Sequence, residues 1–441
     1  MLTWLFTRTP FFYLTQSFWR DEAFSYFMAK KNIFQIIILT AKDFNPPLYY
    51  LILHFWMKIF GGSEIALRSL SIIFFWATVY VAFLFLNDIF KIKLKKSFFY
   101  LIFFILNPLL LYFAFEARMY SMLAFFASLS YYAFYKKNYR LYLLATILGL
   151  FTHYFMIIVV SSQLLFLLIN KKKDFNFKKS IIYLSLLMFS PLVIFFLSQS
   201  SFLNSFWLLK PRLYHLMNLP GIIYTGHELN LYPNSFTVNA MEKNVFYFSL
   251  LLILIIIIGF FHYRKKARSK EHILFNFLFI WAIGIPLFAL IFSFIKPIFI
   301  PRYFIFTVVG LILLVILILK KTPFLLRTIL IVLLLLLSFN YQKLQLKYRK
   351  KYDLRKSLRE IQVIANKKDL VYVTNDLDFF TAQYYLDENK VYIYGKSYEE
   401  IPVYNGKVLI PKEKIASTLP FYPQKAFILN SDGSYTIQAM Y

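Results

Sequence analysis

Ser17-Phe18-Trp19-Arg20-Asp21-Glu22-Ala23-Phe24-Ser25, followed by Asn45-Pro46-Pro47-Leu48-Tyr49-Tyr50, is a polar island between long hydrophobic stretches. Ionisable groups at a membrane boundary are costly, so two adjacent carboxylates directly after the first apolar segment mark a site by default. Asp21 and Glu22 would equally cap the helix that follows them, as acids in a first turn do. These residues alone leave the two readings even, and the rest of the chain decides.

Hydrophobic residues fill 60% of 441 positions and charged ones 16%, with a mean hydropathy of +0.60. A soluble globular chain is about half apolar and roughly a quarter charged. Apolar runs of spanning length recur, which predicts an all-α polytopic membrane protein embedded in the lipid bilayer. The chain has no cysteine, which excludes disulfides and thiolate metal sites. Its first segment lacks a basic start and a small-residue cleavage site, so no cleavable signal peptide is expected.

A net charge of +28 invites a nucleic-acid partner, but the positive charge follows the membrane topology instead. The loops 91–96, 136–140, 171–179, 264–270 and 320–327 hold 20 Lys or Arg, against 11 in the intervening loops and the long first outer segment. The basic set is read as cytoplasmic, and no nucleic-acid partner is expected.

Threading spans through these loops gives eleven crossings, near 2–18, 67–90, 97–114, 119–135, 139–152, 154–170, 179–198, 245–262, 273–294, 303–319 and 324–340. The segment between the first two reads as surface helices at 23–40 and 47–60, broken by the Asn-Pro-Pro turn and Gly61-Gly62. The predicted division is a transmembrane domain over 1–340, with its first outer loop at 19–66, and a small extracytoplasmic α/β domain over 341–441. In the latter, strands are expected at 370–374, 390–394 and 407–410, with a helix at 377–386.

Sorted by side, Asp21, Glu22, Glu116, Arg118, Tyr120, His153, Tyr154, Arg302 and Tyr303 all fall near the outer face, opposite the bulk lysines. Carboxylates suit general-base work on a hydroxyl, or a divalent cation. Arginines grip phosphate through a planar fork. Together, at a bilayer surface, they suit a lipid-linked phosphate. Plainer roles stay open: Arg118 and Arg302 as headgroup anchors, His153 as a turn residue, Tyr120 as an interfacial aromatic. Glu64 and Arg68, four apart, read as a helix-end ion pair.

The order of these motifs resembles the GT-C superfamily, in the branch of protein O-mannosyltransferases and the aminoarabinose transferase of lipid A. The residues that carry it are Trp19-x-Asp21-Glu22-Ala23-x-Ser25, Asn45-Pro46-Pro47-Leu48-Tyr49-Tyr50, Ser63-Glu64-x-x-x-Arg68-x-x-Ser71, Ala117-Arg118-Met119-Tyr120-Ser121, Thr152-His153-Tyr154 and Arg302-Tyr303, spread over about 17–320. The resemblance implies a glycosyltransferase with a polyprenyl-phosphate-sugar donor, a hydroxyl acceptor on protein, lipid or glycan, and an extracytoplasmic active site in the cell membrane. It implies that Asp21 is the catalytic or metal-associated acid with Glu22 beside it, and that Glu116 is the nearest second acid. Asn45, Pro46 and Pro47 would help shape the cavity, and Arg302 and Arg118 would lie close to the donor phosphate. No cofactor is required by this reading; a metal, where used, would be Mg²⁺ or Mn²⁺ on Asp21 and Glu116. Relatives often carry His where this chain has Asn45, and their first span is longer, which is consistent with an N-terminus that is incomplete here. The expected mechanism is a single inverting displacement with Asp21 as base. The alternative is a transporter or flippase of a lipid-linked saccharide, although no internal repeat of the transporter kind is visible.

Overall fold

The computed structural model describes residues 2–43, 45–170, 208, 210–228, 236–264 and 269–441. The chain forms two compact units. One gathers 1–70, 116–118 and 350–441, and the other 71–115 and 119–349. Composition changes near 340, but the first unit joins both ends of the chain.

In the first unit the expected 2–18 span is instead two short helices, Leu2–Arg8 and Phe12–Thr15. Pro10 lies between them and has no N–H to continue the helical ladder. The first outer segment holds three helices, Arg20–Lys30, Ile33–Ala41 and Leu48–Phe60, where two were expected. Asn32 makes the extra break, because its side chain accepts from the Gln35 N–H at 2.8 Å while the Gln35 side chain accepts from the Asn32 N–H at 3.4 Å. This reciprocal cap starts a new helix. The 33–41 helix leaves Phe34, Ile37 and Ile38 exposed, as suits a helix lying in a membrane interface. The 48–60 helix begins behind Pro46-Pro47 and stops at Gly61, whose φ of +80° only glycine adopts freely.

The C-terminal part of this unit is a five-stranded sheet of order β3-β2-β1-β4-β5. Its strands are β1 (Leu370–Val373), β2 (Val391–Tyr394), β3 (Ile415–Ala416), β4 (Ala426–Leu429) and β5 (Tyr435–Gln438), parallel except for β5 against β4. Strands at 370–374 and 390–394 were expected, and the predicted helix is Phe379–Tyr385. The apolar run at 407–410 is not a strand. It is a 3-10 turn, Lys407–Leu409, between Gly406 at φ +76° and Pro411.

The second unit is helical. Five helices among the described residues are long and apolar enough to cross a bilayer: Glu64–Ile89 (which begins in the first unit), Ala240–Arg264, Lys270–Ser293, Pro301–Leu319 and Phe324–Tyr348. Leu94–Ile105 and Pro108–Ala114 make a sixth if counted as one span bent by 73°. Asn107 caps the second piece by accepting from the Leu110 N–H, and Pro108 follows as its first residue. Tyr139–Thr152 and Met156–Ile169 are apolar but shorter. Length and composition therefore give five or six crossings among the described residues, against eleven expected; the span at 179–198 lies outside them. Gly221 allows a close backbone approach, since a Cβ there would lie 2.3 Å from the Val245 carbonyl oxygen.

Candidate active site

In the first unit the local fold is organised around Glu22, whose side chain is fully buried. It stands at the third position of the 20–30 helix and accepts from the Trp19 N–H at 3.0 Å, so it caps the helix as an acid in a first turn should. Arg68 meets it with two parallel bonds, Nε to Oε1 and Nη2 to Oε2, both 2.8 Å. The Lys351 ammonium donates at 3.0 Å and the Ala117 N–H at 3.0 Å. Burial by itself would raise the Glu22 pKa. The charges of Arg68 and Lys351, with the Arg68 and Ala117 hydrogen bonds, outweigh it and hold the group well below the usual carboxylate range.

Arg68 is equally enclosed. Its Nη1 donates to the carbonyls of Leu14 (2.9 Å) and Gln16 (2.7 Å), and Nη2 reaches the Ser17 carbonyl at 3.3 Å. A buried guanidinium persists only when its donors are satisfied in this way. The expected pairing of Arg68 with Glu64 gives way to this one. Glu64 instead accepts from Arg355 Nη1 at 2.8 Å and from the Tyr385 hydroxyl.

Lys351 also lies 3.3 Å from Glu116 Oε2, so one ammonium bridges two expected site carboxylates. Arg118 is buried; its Nη1 lies 3.4 Å from the Asp21 carbonyl oxygen and 3.4 Å from Ser25 Oγ. Asp21, Glu22, Glu116 and Arg118 are thus brought together. Asp21 differs from the others. It is half-buried, and its carboxylate has no hydrogen-bond or ion-pair partner among the described residues. Asn45 donates to Asp43 at 3.3 Å. Pro46 and Pro47 are buried ahead of the 48–60 helix, whose Tyr50 packs edge-on to Phe24 of the 20–30 helix at 6.2 Å.

The second unit assembles the remaining candidates. Tyr120, His153 and Tyr303 form an aromatic cluster, with ring centroids 6.3 Å (Tyr120–His153), 5.1 Å (His153–Tyr303) and 6.2 Å (Tyr120–Tyr303) apart. The Phe155 N–H donates to His153 Nδ1 at 3.1 Å, so the neutral ring carries its proton on Nε2. Arg302 and Arg349 both approach Glu228 Oε1, at 3.9 and 3.8 Å, as ion pairs longer than hydrogen bonds. Arg349 also stacks 3.9 Å over the Tyr112 ring. Beside Glu228, His227 contacts the Tyr341 hydroxyl at 3.2 Å; burial, then the Arg349 charge, push it down to about 3, so it is neutral.

Lys351, Arg355, Glu228 and Arg349 were not among the expected site residues. Arg68 was read from the sequence as the partner of Glu64, four residues away, which hid its pairing with Glu22. Among the described residues no three His, Asp or Glu side chains converge, and Glu116 faces an ammonium.

Residues 45–197 match the family described as dolichyl-phosphate-mannose-protein mannosyltransferase. The whole fold is similar to crystal structures of ArnT from Cupriavidus metallidurans. The apo form aligns with a TM-score of 0.60 at 10% identity, and the form bound to undecaprenyl phosphate with 0.61 at 12%. Both alignments cover 97% of this chain and 91% of that one. The chain shares the fold of these structures. It comprises apolar spanning helices with a small C-terminal sheet domain, which makes it a membrane protein. No curated protein matches in sequence.

Proposed function

We propose that the chain is a membrane glycosyltransferase that moves a monosaccharide from a polyprenyl-phosphate donor to a hydroxyl acceptor on the extracytoplasmic face. Support comes from this shared fold, the family match over 45–197 and the undecaprenyl phosphate bound by the structural neighbour. The observation that carries the reading is the contrast between neighbouring acids: Glu22 is fully engaged, whereas the Asp21 carboxylate is half-buried and unpartnered among the described residues.

In the reaction proposed, Asp21 takes the acceptor proton as the acceptor oxygen bonds to the anomeric carbon. The bond from that carbon to the phosphate oxygen breaks, and its electron pair leaves with polyprenyl phosphate, inverting the centre. A phosphate leaving group needs little protonation, so one base suffices. Arg118, in the same unit as Asp21, is the candidate for neutralising the leaving charge.

The test is sugar transfer by purified protein supplied with radiolabelled polyprenyl-phosphate sugars, comparing wild type with Asp21→Asn. A fall of about 10²–10⁴-fold in released polyprenyl phosphate, with both proteins folded, is expected for loss of a general base. Equal turnover would remove Asp21 from that role. Donor binding without sugar transfer to any hydroxyl acceptor would favour the transporter reading.

A further inference from the structure

The C-terminal sheet carries no side-chain constellation of its own that suggests catalysis, but it meets the helix that bears Asp21. β1 has β2 on one side and β4 on the other, so the chain leaves β1 at a point where strand order diverges. In open parallel sheets the crevice beyond the strand ends at such a point is where ligands bind. Here a side chain of the same unit fills it. Arg20 extends its fork onto Asp378, with Nε to Oδ1 at 2.6 Å and Nη2 to Oδ2 at 3.0 Å. Arg20 Nη2 also donates to Ser431 Oγ at 3.2 Å, and Ser431 donates to Asp378 Oδ2 at 2.6 Å. Asp378 ends the short turn after β1 and Ser431 follows β4, so both strand ends contribute. The Asp378 side chain is 4% exposed and that of Arg20 18%, which makes this a largely desolvated bidentate pair.

The rest of the 20–30 helix is held by the same part of the unit. Phe24 and Phe27 pack on Phe380, with ring centroids at 5.6 and 5.9 Å, and Tyr26 packs on Tyr384 at 5.0 Å. The Phe18 N–H donates to the Tyr385 hydroxyl at 2.8 Å, and Lys30 pairs with Glu388. Gly406 admits Phe24, because a Cβ there would lie 2.6 Å from its ring.

We infer that the C-terminal domain is a positioning module for the reaction, and that the Arg20–Asp378–Ser431 contact fixes the first turn that presents Asp21. Successive helical side chains diverge by about 100°, so Arg20 can be fastened while Asp21 points elsewhere. A 1 Å misplacement of a catalytic group can cost about 10²-fold in rate. The inference rests on Asp21 being the base.

The test uses the full chain in detergent with Arg20→Ala, Asp378→Asn, their double variant and Asp21→Asn. Hydrogen exchange over 18–30 is read beside kcat and donor KM. The expected result for either single variant is faster exchange confined to 18–30, kcat lowered 10- to 100-fold and KM within about twofold. The double variant should be no worse than the worse single one. If Arg20→Ala does not fold, Asp378→Asn and Ser431→Ala carry the same test. Unchanged exchange, singles that multiply in the double variant, or unchanged kcat while Asp21→Asn is inactive would overturn the inference. Wild-type turnover in Asp21→Asn would defeat the base and the catalytic half of the inference together; the exchange arm would still judge the fastening.

Discussion

At the scale of single residues, Asp21 and Glu22 share a chemistry and differ in everything around it. Glu22 is enclosed by an arginine fork, an ammonium and two backbone N–H groups. Removing one partner of such a pair leaves an uncompensated buried charge, at a cost of roughly 3–5 kcal/mol. Arg68→Met should therefore lower the unfolding midpoint of the protein in detergent steeply, and Glu22→Gln/Arg68→Met together less than the single change. The pH dependence has a definite sign. Glu22 titrates below its ordinary 4.5 in the folded state, so its stabilisation is complete above about pH 4.5 and is lost as pH falls towards the folded value. The wild-type melting curve should lose stability below that point, and Glu22→Gln should show a shallower loss from a lower plateau. The sequence placed both acids at the first outer loop, and the family resemblance took Asp21 as the base, but it held nothing of the surroundings that set the two apart. What separates them comes from Arg68 and from Lys351, 329 residues after Glu22.

At the scale of elements, apolar length made most helices legible: 120–135, 139–152 and 305–319 lie within a residue or two of expectation. The sequence misread segments where one polar atom or missing donor decided the outcome. Asn32 ends one helix by capping the next, Pro10 splits 2–18, and Gly406 turns an apolar run that otherwise reads as a strand. A four-residue apolar run carries too little periodicity to tell these apart. The close pair formed by Leu219–Thr225 and the 236–264 helix was also hidden, because it depends on a backbone approach. Gly221→Ala would place a methyl group against the Val245 carbonyl, where backbone cannot yield as a side-chain tip can. The expected cost is about 1–3 kcal/mol, read as a lower melting temperature, with Gly284→Ala as the tolerated control, since its nearest neighbours lie 3.8 Å or more away.

At the scale of the molecule, the first unit is sewn from the two ends of the chain, with 116–118 between. Deleting 350–441 would remove Lys351 from Glu22, Arg355 and Tyr385 from Glu64, and Asp378 from Arg20 at once. Such a truncation should run as aggregate in size-exclusion chromatography, whereas Asp378→Asn should keep the wild-type elution position. The role of the C-terminal residues is thus better approached by point changes than by removal. Lys351 also gives the unit a chronology. Glu22 and Arg68 leave the ribosome close together, but the ammonium that completes their pocket follows 283 residues after Arg68. At roughly 5–20 residues per second that is about 15–60 s of synthesis. During that interval the nascent chain holds a half-neutralised pocket, so birth of the last segment, rather than insertion of the first, sets the moment at which this unit can close.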